Sequence, residues 1–341
     1  MTEPWPSRRA GRQRGSARTA LRDIKEPVAH GTGMDALNTT DFAALLDVAP
    51  SDIEQGCGEL IQGFDFRYAT VTDKAFRSTV LSVLKAIDGA ALSRSGPGRK
   101  GDWERGWGET LERFRASGCS LDALVPPYIA KHPVSRLFGN YIRPASARFE
   151  LDFYTIYRHW LFRTWLRDFP RIDEFGCGTG YNLAIMARLF PDKELTGLDW
   201  AESSIRLVQA IAQAHAPRLT GRRFDYFHPD EDLEMGPDTA LITLNSMEQL
   251  GDDFHPFLDF VLEKRPGLCI NSEPLLELYD PGDLLDYLAI RYHEKRNYLR
   301  GFQPALRKLR DEGRIAILKE QRVRLGSLFH EGYSIIIWRP L

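Results

Sequence analysis

The stretch IDEFGCGTGY, residues 172–181, decides the fold of this chain. Its second acid, Glu174, stands two positions before the first of three alternating glycines. An apolar run leads into the glycines, and apolar residues follow them at helical spacing, at Leu183, Met186 and Ala187. A strand, a glycine turn and a helix in this order bring the backbone close to a ligand, because glycine has no Cβ in the way. The stretch therefore predicts a ligand-binding loop at the end of the first strand of an α/β sheet.

The spacing of these glycines does not fit the dinucleotide-binding turn, G-x-G-x-x-G. The sixth position is Tyr181 when counted from Gly176 and Leu183 when counted from Gly178. The spacing instead resembles the E/D-x-G-x-G-x-G loop of the class I S-adenosylmethionine-dependent methyltransferases. The resemblance covers about residues 150–341, and it implies S-adenosylmethionine as the cofactor, with the loop around its methionine and ribose part.

Two later segments agree with this resemblance. ELTGLD, residues 194–199, reads as a second strand ending in an acid 23 positions after Gly176. A carboxylate at this strand tip accepts the ribose hydroxyls in nucleoside-binding α/β folds. FDYF, residues 224–227, resembles the segment after the third strand of many O-methyltransferases, where the acid meets the adenine amino group.

The resemblance thus implies a set of cofactor-binding residues at the tips of the strands. They are Glu174, Gly176, Cys177, Gly178, Gly180, Asp199, Trp200, Asp225, Tyr226 and Asn245. Cys177 is interpreted as a small loop residue and not as a nucleophile. Two structural interpretations stay open, with Asp199 as the cap of the next helix and Asp225 as a solvated acid at a strand end.

The order of elements predicts an α/β fold with a doubly wound, mostly parallel sheet of seven strands, closed by an antiparallel terminal hairpin. The predicted strands are 172–175, 194–199, 222–227, 240–244, 268–272, 314–324 and 333–338. Before them we predict a disordered basic tail over residues 1–35 and a mainly helical N-terminal substrate or lid domain over 36–148. The methyltransferase domain is expected over 149–341, with a helical insertion at about 275–312. An aromatic stripe at Trp103 and Trp107 is interpreted as core.

Composition narrows the class of protein. The chain has 341 residues, 43% of them hydrophobic, and a net charge of −2. Residues 1–25 carry a charge of +5, so the remainder carries −7, which disfavours a nucleic-acid substrate. We predict no membrane span and no secretory signal. Four scattered cysteines suit a reduced cytoplasm, where we place the protein. Oligomeric state is left undetermined.

Candidates for the chemistry follow from the rule that ligands bind outside the carboxyl ends of the strands. The predicted catalytic groups are Glu248, His330, Glu273 and His293, with Glu248 favoured as a general base because it follows the central fourth strand. The predicted substrate contacts are Tyr141, Arg143, Arg296 and Met247. No two of the candidate histidines and acids share a metal-ligand spacing, so no metal site is predicted.

These features favour methyl transfer to the oxygen or nitrogen of a small polar metabolite. One alternative is a peptide or protein methyltransferase that uses the N-terminal region as a docking surface. A second is a methyltransferase-like binding partner without activity, which the intact loop and Asp199 disfavour. Aminopropyl transfer is a distant fourth, since no paired acids are arranged for a polyamine.

Overall fold

A mostly parallel sheet of seven strands runs through the part of the chain that the computed structural model describes, residues 34–341. The strands of this part of the chain, which belong to two sheets, are β1 (Asp35–Ala36), β2 (Arg67–Thr70), β3 (Ser135–Leu137), β4 (Asn140–Pro144), β5 (Arg171–Phe175), β6 (Glu194–Asp199), β7 (Leu219–Arg223), β8 (Thr239–Leu244), β9 (Leu268–Ser272), β10 (Ile315–Gln321), β11 (Leu325–Gly326) and β12 (Ile335–Pro340). The helices are α1 (Thr39–Leu46), α2 (Pro50–Gly63), α3 (Asp73–Asp88), α4 (Lys100–Ala116), α5 (Phe149–Trp165), α6 (Tyr181–Leu189), α7 (Glu202–His215), α8 (His255–Lys264), α9 (Leu284–Arg296) and α10 (Phe302–Asp311).

The order of strands in the large sheet is β10-β12-β9-β8-β5-β6-β7. Strands β5 to β9 pair in parallel, whereas β12 is antiparallel to both β9 and β10. The predicted seven-stranded sheet with its antiparallel terminal hairpin is therefore confirmed. The order reverses between β5 and β8, which places a ligand crevice at the carboxyl ends of these two strands.

Both faces of this sheet are buried, as the apolar character of its strands requires. Along β12, Ile335 and Ile337 pack into one core cluster with helices α5, α6 and α7. Ile336, between them, packs into the other cluster with α8 and α10. The helices thus cover the sheet on two sides, which is the doubly wound arrangement.

The third strand of the parallel sheet lies earlier than predicted. The predicted range was 222–227, but β7 is Leu219–Arg223. The chain then turns, because the Asp225 carboxylate accepts a hydrogen bond from the Phe227 N–H at 3.0 Å, and the Asp225 carbonyl accepts one from His228 N–H. The β-prone aromatic residues suggested a strand where the acid makes a turn.

The N-terminal region contains a second sheet that was not predicted. Its five antiparallel strands have the order β1-β2-β4-β3-β11, so β11 from the terminal hairpin joins strands from the N-terminal region. The prediction of a mainly helical region is incomplete here, because strands of two to five residues leave little periodic signal.

Residues 34–341 form one compact unit, and the division at residue 148 stays a prediction. The predicted basic tail falls on residues 1–33, outside the described part, except for its end, where Asp35 belongs to β1. Every helix of residues 34–341 is too short or too polar to cross a bilayer.

Candidate active site

A cavity of about 530 Å³ opens at the carboxyl ends of β5, β6 and β8. Its volume is within the roughly 300–1,000 Å³ that small-molecule sites occupy. The glycine loop and Asp199 form one part of its wall, and Glu248, Arg296 and His330 form another. One cavity therefore contains both the predicted cofactor-binding loop and two of the predicted catalytic residues, Glu248 and His330.

The glycine loop turns sharply between β5 and α6. Gly176 N–H and Cys177 N–H both donate to the Leu198 carbonyl, at 2.7 and 3.0 Å, which ties the loop to β6. Gly178 has a φ of +54°, a conformation that favours glycine. A Cβ there would lie 3.1 Å from Trp107 Cζ2, so the position is closed to a larger residue on steric grounds as well.

Asp199, at the end of β6, lines the cavity. One carboxylate oxygen accepts the Gly178 N–H and the other accepts the Ala201 N–H, both at 2.9 Å. Burial raises the pKa of Asp199 to about 6, and these two backbone hydrogen bonds oppose the shift. The Ala201 bond is the helix-capping interaction considered above, and it leaves each oxygen with a free lone pair toward the cavity.

Trp103 and Trp107 lie on α4 and line the same cavity beside the glycine loop. Their rings stack with centroids 5.1 Å apart. Two hydrogen bonds hold α4 in place, since Ser203 at the start of α7 donates its N–H to the Glu104 carboxylate at 3.0 Å and its hydroxyl to the Glu104 carbonyl at 2.8 Å. The interpretation of this stripe as core is incomplete, because buried rings also form a site wall when the core borders a cavity.

Glu174 lies behind the loop and not on the cavity wall. Its Oε1 accepts a hydrogen bond from Asn182 Nδ2 at 2.7 Å, and its Oε2 is buried without a hydrogen-bond partner. Asn182 also accepts from Arg158 Nη1 at 3.0 Å and lines the cavity. Burial raises the pKa of Glu174 to about 8. Glu174 therefore supports Asn182, which is the residue of this pair that reaches the cavity.

Glu248 and Glu273 follow neighbouring strands β8 and β9, and their side chains lie close together. The Glu273 carboxylate accepts the backbone N–H groups of Ser246 and Glu248, at 3.2 and 3.3 Å. It thereby fixes the short helical turn that carries Glu248 to the cavity wall. Burial raises the pKa of Glu248 to about 7, against the charge of Arg296. Burial and the neighbouring Glu248 raise the pKa of Glu273 to about 8.

His330 lines the cavity, whereas His293 lies behind it. His330 Nδ1 and His293 Nε2 are 3.0 Å apart. Burial lowers the pKa of both rings, that of His293 to about 3 and that of His330 well below its usual value, so both are neutral near pH 7.

Within residues 34–341, His, Cys, Asp and Glu side chains do not gather in threes in an arrangement that would hold a metal ion.

Further rings and one further acid, which are not among the predicted site residues, complete the wall. They are Tyr128, Glu150, Tyr154, Tyr292, Tyr298, Phe329 and Tyr333. Glu150 accepts hydrogen bonds from the Ala130 N–H at 2.8 Å and from the Tyr333 hydroxyl at 3.1 Å. These residues are far apart in the chain, and helical spacing alone did not distinguish them from core.

The structure brings most of the predicted site residues to one crevice. Those that line it are Gly176, Cys177, Gly178, Asp199, Trp200, Tyr226, Asn245, Glu248, Arg296 and His330. Glu174, Gly180, Glu273 and His293 lie directly behind this wall. Gly180 is the turn before α6, with a φ of +70°, and a Cβ there would lie 2.7 Å from Ile211 Cδ1.

Four predicted residues lie elsewhere. Tyr141 is buried against Phe76, and Arg143 is an exposed residue of β4. Met247 is buried beside Asn271, and Asp225 forms the turn after β7. We therefore do not retain Tyr141, Arg143 or Met247 as substrate contacts, or Asp225 as an adenine contact.

Comparison with known proteins gives a partial relative. A malonyl-[acyl-carrier protein] O-methyltransferase from Bacillus cytotoxicus is 30% identical over 113 residues, which are 33% of this chain and 31% of that enzyme. No family model matches the chain.

Solved methyltransferase structures align with this chain at low identity. An N,N-8-amino-8-demethyl-D-riboflavin dimethyltransferase from Streptomyces davawensis aligns with 14% identity and a TM-score of 0.39, covering 89% of each chain. A geranyl diphosphate C-methyltransferase from Streptomyces coelicolor A3(2) aligns with 12% identity and a TM-score of 0.41, covering 58% of this chain and 86% of that one. The strand order, the glycine loop and the curated match together confirm the predicted resemblance to the class I methyltransferases.

Proposed function

We propose that this protein is an S-adenosylmethionine-dependent methyltransferase that methylates an oxygen or nitrogen of a small polar molecule. One observation carries the proposal. The glycine loop and Asp199 share a cavity with a half-buried carboxyl group, Glu248, on the helical turn that follows the central strand β8. A cofactor on the loop and an acceptor beside Glu248 would therefore meet inside the same crevice.

The residues at the strand tips fit the cofactor. Asp199 offers carboxylate lone pairs to the ribose hydroxyls, and Glu174 supports the loop from behind through its hydrogen bond with Asn182. Trp103, Trp107 and Trp200 supply apolar rings that can pack against the adenine of the cofactor. When bound, this cofactor supplies a methyl group carried on a positively charged sulfur.

Glu248 acts as the general base. Its pKa of about 7 lies close to neutral pH, where a base both exists in its deprotonated form and accepts a proton readily. Glu273 positions it through the two backbone N–H groups described above. The neutral His330 is a second proton acceptor on the same wall.

A cofactor-binding measurement tests the proposal. Asp199→Asn should weaken binding of S-adenosylhomocysteine by about 10- to 100-fold in calorimetry, because a charged acceptor is lost from buried hydrogen bonds. Glu194→Gln, at the exposed start of the same strand, is the matched control and should bind like the parent. Absence of binding by the parent protein would contradict the proposal and favour a partner without activity.

A further inference from the structure

Arg296 is a cation in the cavity wall whose charge acts on the nearby Glu248 carboxyl without a direct ion pair. It ends α9 and lines the cavity. Its side chain makes no ion pair within residues 34–341, and its Nε is buried without a hydrogen-bond partner. A guanidinium group held in this way leaves its donors available to a ligand.

Neighbouring cations are placed differently. Arg300 pairs with Asp252 at 2.8 Å and hydrogen-bonds Asn297, and it is not on the cavity wall. Lys295, one residue before Arg296, is also absent from that wall. The cationic run at the end of α9 is therefore mostly a solvated face, from which Arg296 alone among these three turns inward.

Aromatic rings surround Arg296. Its Cζ lies 5.0 Å from the centroid of the Tyr298 ring. Tyr292, one helical turn earlier on α9, stacks on Phe329 with centroids 4.7 Å apart and an interplanar angle of 13°. Tyr298 lies edge-on to Tyr292, with centroids 5.6 Å apart and an interplanar angle of 87°. The three rings therefore form an aromatic wall on which another flat ring can pack.

Glu248 faces the same corner of the cavity. Its Oε1 accepts a hydrogen bond from Gln249 Nε2 at 2.8 Å, and it is not within ion-pair distance of Arg296. This part of the cavity wall therefore combines a hydrogen-bond donor in Arg296, an aromatic wall and a proton acceptor in Glu248.

We infer that the methyl acceptor is an aromatic carboxylic acid, with its carboxylate on Arg296, its ring against the wall of Tyr292, Tyr298 and Phe329, and its reacting oxygen or nitrogen toward Glu248. This inference rests on the proposed function. A planar carboxylate matches the two parallel donors of a guanidinium group.

The charges nearby favour a carboxylate over a phosphate. One guanidinium balances one negative charge, whereas a phosphate dianion would bring two negative charges to a cavity wall that already carries the Glu248 carboxyl. The neutral His330 adds no positive charge to this corner. Lys131, an exposed residue, is another cation on the cavity wall and needs its own control.

Calorimetry on the full-length protein saturated with S-adenosylhomocysteine tests this inference. The probes are benzoate, 2-naphthoate and indole-2-carboxylate, each compared with its methyl ester, which keeps the ring and removes the charge. We expect at least one acid to bind about 10- to 100-fold more tightly than its ester, as the loss of a charge-assisted hydrogen bond predicts. Arg296→Met should abolish that preference without changing S-adenosylhomocysteine affinity.

Arg300→Met removes an equal charge four residues further along the chain, beyond the end of α9, and should keep the preference, as should Lys131→Met. Equal binding of acids and esters, no binding of any acid, or a preference that survives in Arg296→Met would overturn the inference. A preference lost only in Lys131→Met would also overturn it. Failure to bind S-adenosylhomocysteine at all would instead contradict the proposed function, so the two failures are distinguishable.

Discussion

Three carboxyl groups with raised pKa values lie in or behind the wall of the proposed active site. Glu174, Glu248 and Glu273 each have a raised pKa, and burial is the main cause in all three. Only Glu248 among them reaches the cavity wall. The other two shape the loop and the turn that carry cavity residues, so the same physical effect serves one reactive and two supporting groups.

Replacing Glu248 tests its role as a base. Glu248→Gln should lower turnover by about 100-fold or more, the usual contribution of a general base, with S-adenosylhomocysteine affinity nearly unchanged. Turnover of the parent should rise with pH through about 7, because only the deprotonated carboxylate accepts a proton. Initial rates of methyl transfer across pH 5–9 check both points. An unchanged rate in Glu248→Gln would remove this residue from the chemistry.

A second prediction concerns stability and pH. Glu174 has a folded pKa of about 8, above its unfolded value of 4.5, so the folded state holds a proton that the unfolded state has lost. The free energy of unfolding should therefore fall as pH rises from about 4.5 to about 8. Glu174→Gln, which mimics the protonated form, should reduce this fall by an amount on the order of 2 kcal/mol.

Urea unfolding at several pH values measures that difference. Glu234→Gln, at an exposed acid, is the control and should keep the parent's pH dependence. A Glu174→Gln variant with the parent's slope would show that the carboxyl is not protonated in the folded protein.

Some residues of the site could be predicted from the sequence and others could not, and the difference has a physical cause. Gly178 and Asp199 carry strong local signals, because a positive φ and a strand-end acid are features of single positions. Tyr298 and Trp107 do not, since a ring at helical spacing looks the same whether it borders a cavity or fills a core. Tyr141 was misplaced because its short strand was not predicted.

Among the secondary-structure elements, α4 covers the glycine loop at one side of the cavity. Its Trp107 covers Gly178, and its link to α7 runs through Glu104 and Ser203. The prediction of the parallel sheet succeeded because central strands such as β8 and β9 are buried along their whole length. Strand β7 was misplaced because a side-chain hydrogen bond of Asp225 makes a turn where a strand was expected.

Removal of the link between α4 and α7 should weaken both stability and cofactor binding. Glu104→Ala leaves the Ser203 N–H without its acceptor, which should cost about 1–3 kcal/mol of unfolding free energy. S-adenosylhomocysteine affinity should fall as well, because α4 carries the rings that wall the cavity. Denaturant unfolding and calorimetry measure the two effects. Glu109→Ala, exposed on the same helix, should change neither, and equal behaviour of the two variants would contradict this view of α4.

At the scale of the whole molecule, a buried ion network joins distant parts of the chain. Asp286 on α9 accepts from Arg322 Nη1 at 2.7 Å and from Arg136 Nη2 at 3.3 Å. Arg322 Nε also donates to Glu331 at 2.6 Å. Burial acts to raise the pKa of Asp286, but the hydrogen bonds from Arg322 and the backbone outweigh it and the pKa is lowered.

Asp286→Asn should destabilise the protein by about 3–5 kcal/mol, because it leaves buried arginine charge without compensation. The exposed pair Asp252–Arg300 provides the comparison, since side-chain exposure of the acid is 61% there and 2% at Asp286. Asp252→Asn should cost less than about 1 kcal/mol. Denaturant midpoints of the two variants check the difference, and similar losses would mean that the network contributes no more than a surface pair.

The pairing of β11 with β3 has a consequence for chimeric proteins. Leu325 and Gly326, late in the polypeptide, complete a sheet whose other strands lie before residue 145. An exchange of the N-terminal half with that of a relative would therefore give β3 a foreign edge partner. A chimera that keeps the hydrogen bonds between β3 and β11 must therefore carry the segment between β10 and β12, which contains β11, together with the N-terminal strands.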